Sequence, residues 1–298
     1  MVVATGFFDG VHLGHRHIIQ TLIDEARRRK TQSLIITFWP HPRNVLQNGA
    51  RDLRLLTSLQ EKKEKLLSLG VDRVEVLDFS KTFSGMTMQE YVEQILVGKY
   101  KAECLVLGYD NRMGRDCQEP QQILPIAQAA GADVVFAEAV YMAHQAVSST
   151  RVRKAIASGE VGEAAKMLGE NYSLHGVVVA GKRLGRTLGY PTANMQLYDP
   201  LKAIPAPGVY AVQVQTLGGV FGGMCNIGYR PTVASGGGLT IETHILDFNE
   251  DIYGLDMRLS FVSRIREEVR FSSLTELSEQ LGKDKQRAMD ILKENKIQ

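Results

Sequence analysis

Several short stretches of this sequence combine residue types that handle phosphate and protons. The first is Gly6-Phe7-Phe8-Asp9-Gly10-Val11-His12-Leu13-Gly14-His15. Two imidazoles three residues apart at a helix start share one face. Gly14 gives an anion room to approach the backbone, and the N-terminal amides and helix dipole attract phosphate. The second is Ser148-Ser149-Thr150-Arg151-Val152-Arg153, hydroxyls at a helix N-terminus followed by arginines that can take phosphate oxygens in bidentate fashion. An N-cap with a solvated arginine reads the same way. The third, Gly176-Val177-Val178-Val179-Ala180-Gly181-Lys182, nearly spells a P-loop, but Arg183 stands where Ser or Thr would bind Mg2+. Leu184–Pro191 then reads as loop rather than helix, which excludes the Walker motif. A basic, glycine-rich loop still cradles phosphate through its amides and Lys182 or Arg186, and a flexible hairpin with solvated charges is the alternative. Thr192 and Asn194, two apart in extended chain, point the same way and offer two oxygens to one hard cation. Glu242 shares a strand face with His244, Leu246 and Phe248, and a carboxylate among largely apolar neighbours needs a partner or a function.

The elements that carry these residues change character midway. Apolar runs at Val2–Thr5, Leu34–Phe38, Val74–Phe79, Cys104–Leu107 and Val134–Ala137 read as buried strands with helical patterns between them. Ile18, Ile19, Leu22, Ile23 and Ala26 form one apolar helix face, and Arg27–Lys30 loads its last turn with cations. Thr57 with Gln60, Thr87 with Glu90 and Ser273 with Glu276 have helix-start spacing, and Gly70 suits a helix stop. This alternation predicts a parallel sheet with helices on both faces. After a helix around Val152–Leu168, strands follow one another: Val177–Val179, Val209–Val214, Val220–Cys225, Ile241–Phe248 and Met257–Val262. Gly and Pro punctuate the links, including Ser235–Gly238. An antiparallel barrel closed by C-terminal helices removes strand edges most economically. The boundary is expected near residue 171, giving domains 1–170 and 171–298.

Composition sets the outer limits. With 298 residues, two domains are expected, each large enough for its own core. A net charge of +2 excludes a polybasic nucleic-acid coat or an acidic tail as the signature of the whole chain. Cys104, Cys117 and Cys225 are scattered, which argues against a disulfide framework or zinc knuckle and fits a reducing cytoplasm. No apolar run approaches a membrane span, and no signal-peptide start is present. No nucleic-acid, membrane or obligate protein partner is expected.

The motifs and their order resemble the bacterial bifunctional riboflavin kinase/FMN adenylyltransferase family. The front half carries G-x-F-D-G-x-H-x-G-H, Thr37–Pro42 as T-F-x-P-H-P, Gly108–Gly114 as G-x-D-x-x-x-G, and S-S-T-x-x-R. It looks like the FAD synthetase portion, a Rossmann-like nucleotidyltransferase with the HIGH signature. Class I aminoacyl-tRNA synthetases share the histidines, but the K-M-S-K-S loop is missing from this sequence. The rear half carries G-K-R-L-G-R-T-L-G-Y-P-T-A-N, Asn226–Thr232 as N-I-G-x-R-P-T, Glu242–Phe248 as E-x-H-x-x-D-F, and Arg266-x-Glu268-x-x-Phe271. It looks like the riboflavin kinase portion, a Greek-key barrel. The resemblance implies that His12 and His15 stabilise the triphosphate. Gly6, Phe7, Gly14, Asp110, Ser149, Thr150 and Arg153 would hold phosphate and nucleotide. In the rear half Gly181, Lys182, Gly185 and Arg186 would bind ATP, Thr192 and Asn194 Mg2+, and Glu242 would act as base. Arg266 and Phe271 would shape the flavin site.

The implied substrates are riboflavin, FMN and ATP, with Mg2+ as cofactor. Phosphorylating riboflavin requires a carboxylate to take a proton from a neutral alcohol. Adenylylating FMN does not, since a phosphate monoester with a second pKa of about 6 is already largely dianionic. Histidines and arginine in one half and a glutamate in the other match that division. Asn111 and Met113 stand where the family usually has an aromatic residue or histidine and Phe, and Trp39 replaces a common Asp. These positions motivate a second reading, a riboflavin kinase with a lost or narrowed adenylyltransferase half. A flavin-sensing protein without turnover is a third, opposed by the intact base and metal ligands.

Overall fold

The computed structural model describes residues 1–42, 45, 53–109, 111–116, 119–181, 184–229 and 238–295. Asp110, Cys117, Lys182, Arg183, the Arg230-Pro231-Thr232 end of the N-I-G motif and the Ser235–Gly237 part of the expected linker lie outside these residues. The chain forms two compact units, Met1–Ser149 and Thr150–Gln298.

In the first unit five parallel strands stand in the order β3-β2-β1-β4-β5. They are β1 (Val2–Thr5), β2 (Ser33–Trp39), β3 (Arg73–Asp78), β4 (Cys104–Gly108) and β5 (Asp133–Ala137). The pleat sends alternate residues to opposite faces. Val2, Ala4, Ile35 and Val106 pack with Ile19, Leu22, Ile23 and Ala26 of α1 (Leu13–Arg29) and Leu66 of α2 (Leu59–Ser68). Val3, Leu34, Ile36 and Leu105 face Val92 and Leu96 of α3 (Tyr91–Lys99) and Ala127 of α4 (Ile123–Ala129). Central strands buried on both faces explain the unbroken apolar runs, whereas β3 is exposed at both ends. A short hairpin, β6 (Tyr141–Met142) and β7 (Gln145–Ala146), precedes the unit's end.

The expected helix around Val152–Leu168 is two helices, α5 (Ser149–Ala157) and α6 (Val161–Leu168). Gly159 between them has φ +81°, and a side chain there would press on Tyr210 and Arg264. The Gly159 N–H donates to the Ile156 carbonyl and the Glu160 N–H to the Ala155 carbonyl, so a left-handed glycine cap ends the first helix.

The second unit is a closed barrel ordered β10-β11-β12-β9-β8-β13. Its strands are β8 (Ser173–Val179), β9 (Ala193–Leu197), β10 (Gly208–Thr216), β11 (Gly219–Tyr229), β12 (Leu239–Ile245) and β13 (Asp256–Arg266). β9 and β10 are consecutive in the chain but not neighbours, the kind of return a Greek key uses. Met257, Leu259 and Phe261 point inward, as their alternation with Arg258 and Ser260 predicts. One terminal helix, α7 (Leu274–Glu294), buries Ala288, Ile291 and Leu292 against Ala211, Met224, Leu246 and Val262. β9 was not foreseen as a strand, and Leu184–Thr187 forms a single helical turn where the sequence suggested loop only.

Candidate functional sites

In the first unit, the two loops at the carboxyl ends of β1 and β4 flank the point where the strand order reverses, the usual ligand crevice of such sheets. They are tied together there: the Asn111 side-chain amide donates to the Thr5 carbonyl at 2.9 Å. Met113 turns into the core beneath.

After β1 the chain turns sharply, with Phe8 (φ 53°), Gly10 (φ 80°) and Val11 (φ 46°) all in left-handed geometry. Such conformations in non-glycine residues persist only when surroundings enforce them. Asp9 supplies that enforcement. Its buried carboxylate accepts from the backbone of Leu56 and Thr57, each at 3.0 Å, and from the Thr57 hydroxyl at 3.2 Å. Thr57 therefore does not cap the next helix as its spacing with Gln60 suggested. Ser58 takes that place with Glu61 in a full capping box, one residue later. Thr87 with Glu90 and Ser273 with Glu276 cap as expected.

The turn delivers His12 to the N-cap of α1, where its Nδ1 accepts from the His15 backbone N–H at 3.3 Å. With that lone pair engaged, the proton of a neutral His12 resides on Nε2. The His12 and His15 rings stack at 3.7 Å between centroids, and Phe8 meets His15 edge-on at 5.2 Å. A side chain at Gly14 would press on the His12 ring and the Val147 carbonyl, so this glycine keeps the ring in place. The Ser149 hydroxyl donates to the Asp9 carbonyl at 2.9 Å, anchoring the start of α5 to the same turn. Thr150 follows on that helix and Arg153 lies one turn after Ser149, on the same face.

In the barrel, antiparallel register sets Glu242 directly opposite Asn226 on one side and Asn194 on the other. These side chains form one row across β11, β12 and β9. Asn194 and Asn226 thus flank Glu242 within a largely apolar setting, since Val209, Met224, Phe271, Leu277 and Leu281 line the same cavity. β12 also ends at Ile245, and Asp247 has φ 53°, so Leu246 and Phe248 leave the strand face that Glu242 shares with His244. His244 is buried, its Nδ1–H donates to the Pro191 carbonyl at 2.9 Å, and burial lowers its pKa. That bond fixes the backbone just before Thr192. A side chain at Gly181 would fall onto Asn194, and one at Gly185 onto the Tyr190 carbonyl, so both glycines mark close backbone approach.

Two cavities meet here. One of about 260 Å³ is lined by Arg186, Thr192, Phe248 and Tyr253. The other, of about 290 Å³, is lined by Glu242, His244, Asn226, Arg266, Glu268 and Phe271, among others. Thr192 borders both. Arg266 faces the second cavity but is committed: it forms a forked ion pair with Asp284 of α7, at 2.7 Å and 3.0 Å, and lies 5.7 Å over the Phe271 ring. Asp284 is almost fully buried, and nothing in its sequence neighbourhood announced it. No group of three or more His, Cys, Asp or Glu able to hold a metal occurs among the described residues. No helix among them is long and apolar enough to cross a membrane.

Known proteins match both units. A FAD synthetase family model covers residues 1–151 and a riboflavin kinase model covers residues 168–292. A bifunctional riboflavin kinase/FMN adenylyltransferase of Bacillus subtilis is 34% identical over 97% of this chain and 91% of its own length. The protein of that name from Listeria monocytogenes is 37% identical over 96% and 90%. A crystal structure described as a macrolide-efflux protein from Streptococcus pneumoniae aligns with TM-score 0.90 and 33% identity, covering 97% of this chain and 93% of that one.

Proposed function

The chain belongs to the family of bifunctional riboflavin kinases/FMN adenylyltransferases, and from that premise we propose how its residues divide the two reactions. It phosphorylates riboflavin to FMN and adenylylates FMN to FAD, consuming nucleotide in both steps.

In the kinase half, the cavity beside Arg186 and Phe248 takes ATP, and the one containing Glu242 takes riboflavin. The observation that carries this reading is Thr192, which borders both cavities while Glu242 opens into only one. The transferred phosphoryl group then passes at Thr192. Glu242 accepts the proton of the 5′-hydroxyl as the oxygen attacks the γ-phosphorus, with Asn226 and Asn194 orienting it from either side. Gly181 and Gly185 let the backbone close on the phosphates, with Lys182 and Arg186 supplying charge. The Thr192 hydroxyl and the Asn194 amide oxygen are hard neutral donors, suited to Mg2+ that takes its remaining ligands from phosphates and water. When bound, that ion neutralises charge on the β- and γ-phosphates. Arg266 and Phe271 form the flavin-side wall, the arginine acting through its fixed orientation.

In the adenylyltransferase half, the start of α1 is the phosphate site. Gly6, Phe7 and Gly14 offer backbone, His12 Nε2–H and His15 offer donors, and Ser149, Thr150 and Arg153 complete the set with Asp110. The FMN phosphate arrives ionised, so these groups position it and absorb charge on the α-phosphate as pyrophosphate leaves. We assign this step to residues 1–170 and the kinase step to 171–298. The test is to incubate the full chain and fragments 150–298 and 171–298 with riboflavin, ATP and Mg2+, then separate the flavins. The full chain should yield FAD and both fragments FMN only. Activity confined to the longer fragment would move the boundary ahead of α5.

A further inference from the structure

Lys62, on α2, is only 1% exposed and plays no part in the mechanism above. Its ammonium donates to the Phe7 carbonyl at 2.9 Å and sits 3.8 Å from the centre of the Phe7 ring. The Thr37 hydroxyl donates to the same carbonyl at 3.1 Å. No carboxylate among the described residues pairs with Lys62. The charged and titratable groups around it are Asp9 from the loop, whose carboxylate is taken up by Leu56 and Thr57, and Glu61 on its own helix, which caps Ser58. His41, following β2, packs edge-on against the Phe7 ring at 4.0 Å. Burial pushes the Lys62 pKa down to about 8, with Asp9 opposing the shift. A buried ammonium is costly, and a methionine would fill the same space without that cost.

What the ammonium secures is one peptide plane. In a trans peptide the carbonyl and the following N–H point in opposite directions. Two donors holding the Phe7 carbonyl therefore turn the Phe8 N–H away from Lys62, and no acceptor among the described residues takes that N–H. An oriented and unused amide in the turn whose Phe8 ring meets His15 is a receptor for an anion. We propose that Lys62 is a positioning residue for adenylyl transfer: it locks the Phe7–Phe8 peptide so that the Phe8 amide meets the nucleotide's phosphates, and its charge offsets theirs. The proposal rests on assigning the loop at residues 6–15 to the nucleotide.

The test compares Lys62→Met and Lys62→Arg with the wild type in the full chain. In K62M, kcat/KM for ATP in FAD formation should fall roughly tenfold to hundredfold, as misplaced groups cost in other sites. KM for FMN and the rate of FMN formation from riboflavin should stay near wild type, and K62R should recover part of the loss. FAD formation by K62M at the wild-type rate would overturn the proposal. A wild-type chain that makes no FAD would instead remove the reading beneath it. Should K62M lose both activities through misfolding, the wild type decides: the NMR titration of the Lys62 side chain is followed with and without pyrophosphate. A midpoint raised by pyrophosphate supports the coupling, and an unmoved one overturns it.

Discussion

The two halves meet phosphate with opposite architectures. In the first, the two histidines and the phosphate-facing backbone come from one ten-residue stretch, a strand end, a strained turn and a helix start, with Ser149 tied back to it. In the barrel, Asn194, Asn226 and Glu242 are far apart in the chain and are aligned only by strand register. One cation in each half differs in its company as well, a fully buried lysine against a partly buried arginine. Lys62 has a carbonyl and a ring for company, whereas Arg266 is held by the carboxylate of Asp284. The contrast follows from the nucleophiles. An ionised phosphate needs an anion receptor, which amides and cations supply; a neutral alcohol needs a base, and the barrel brings Glu242 for it.

Substitutions that strike one half should leave the other running. The largest effect is expected for Glu242→Gln, which removes the proton acceptor and should slow riboflavin phosphorylation roughly 10²–10⁴-fold. FAD formation from supplied FMN should be unchanged; an equal fall in both would erase the contrast in mechanism. Asp284→Ala strands the Arg266 guanidinium and should cost about 3–5 kcal/mol. Calorimetry should show the loss in the barrel's transition, with FAD formation from FMN intact. His15→Ala removes one oriented donor and should cost about 2.7–4 kcal/mol of transition-state stabilisation in FAD formation, with FMN formation within a few-fold of wild type.

The smallest effect is a pH dependence. Between the Lys62 value of about 8 and the ordinary 10.5, the unfolded chain keeps a proton that the folded chain has released. Stability contributed by this group therefore rises with pH across that window, and the penalty is fully present below pH 8. The rise is at most about 3 kcal/mol. Denaturant unfolding of wild type and K62M at several pH values should show a difference curve with that slope. Parallel curves would mean that Lys62 does not titrate there.

What could be read in advance follows the same line between local and distant. Core strands, the α1 apolar face, two of the three helix starts and the histidine pair are encoded by neighbours in sequence, and the structure contains them. Thr57 misled because a hydroxyl near a helix start has two uses, and a distant carboxylate, Asp9, claimed it. The row that Glu242 forms with Asn194 and Asn226 depends on strands more than a dozen residues away, whereas the break at Gly159 is a local left-handed cap that a single helix around Val152–Leu168 passes over. Asp284 and Lys62 resemble ordinary helix-surface charges until the fold buries them.

A threonine that borders two cavities gives them one side chain in common, while β12 separates them elsewhere, with Thr243 and Ile245 lining one and Glu242 and His244 the other. A change at that threonine reshapes both chambers, so its replacement should shift the affinities for nucleotide and flavin together. A single ligand bearing a polyphosphate at one end and a tricyclic ring at the other could thread past that residue, occupy both chambers at once, and gain affinity by linkage that neither fragment has alone.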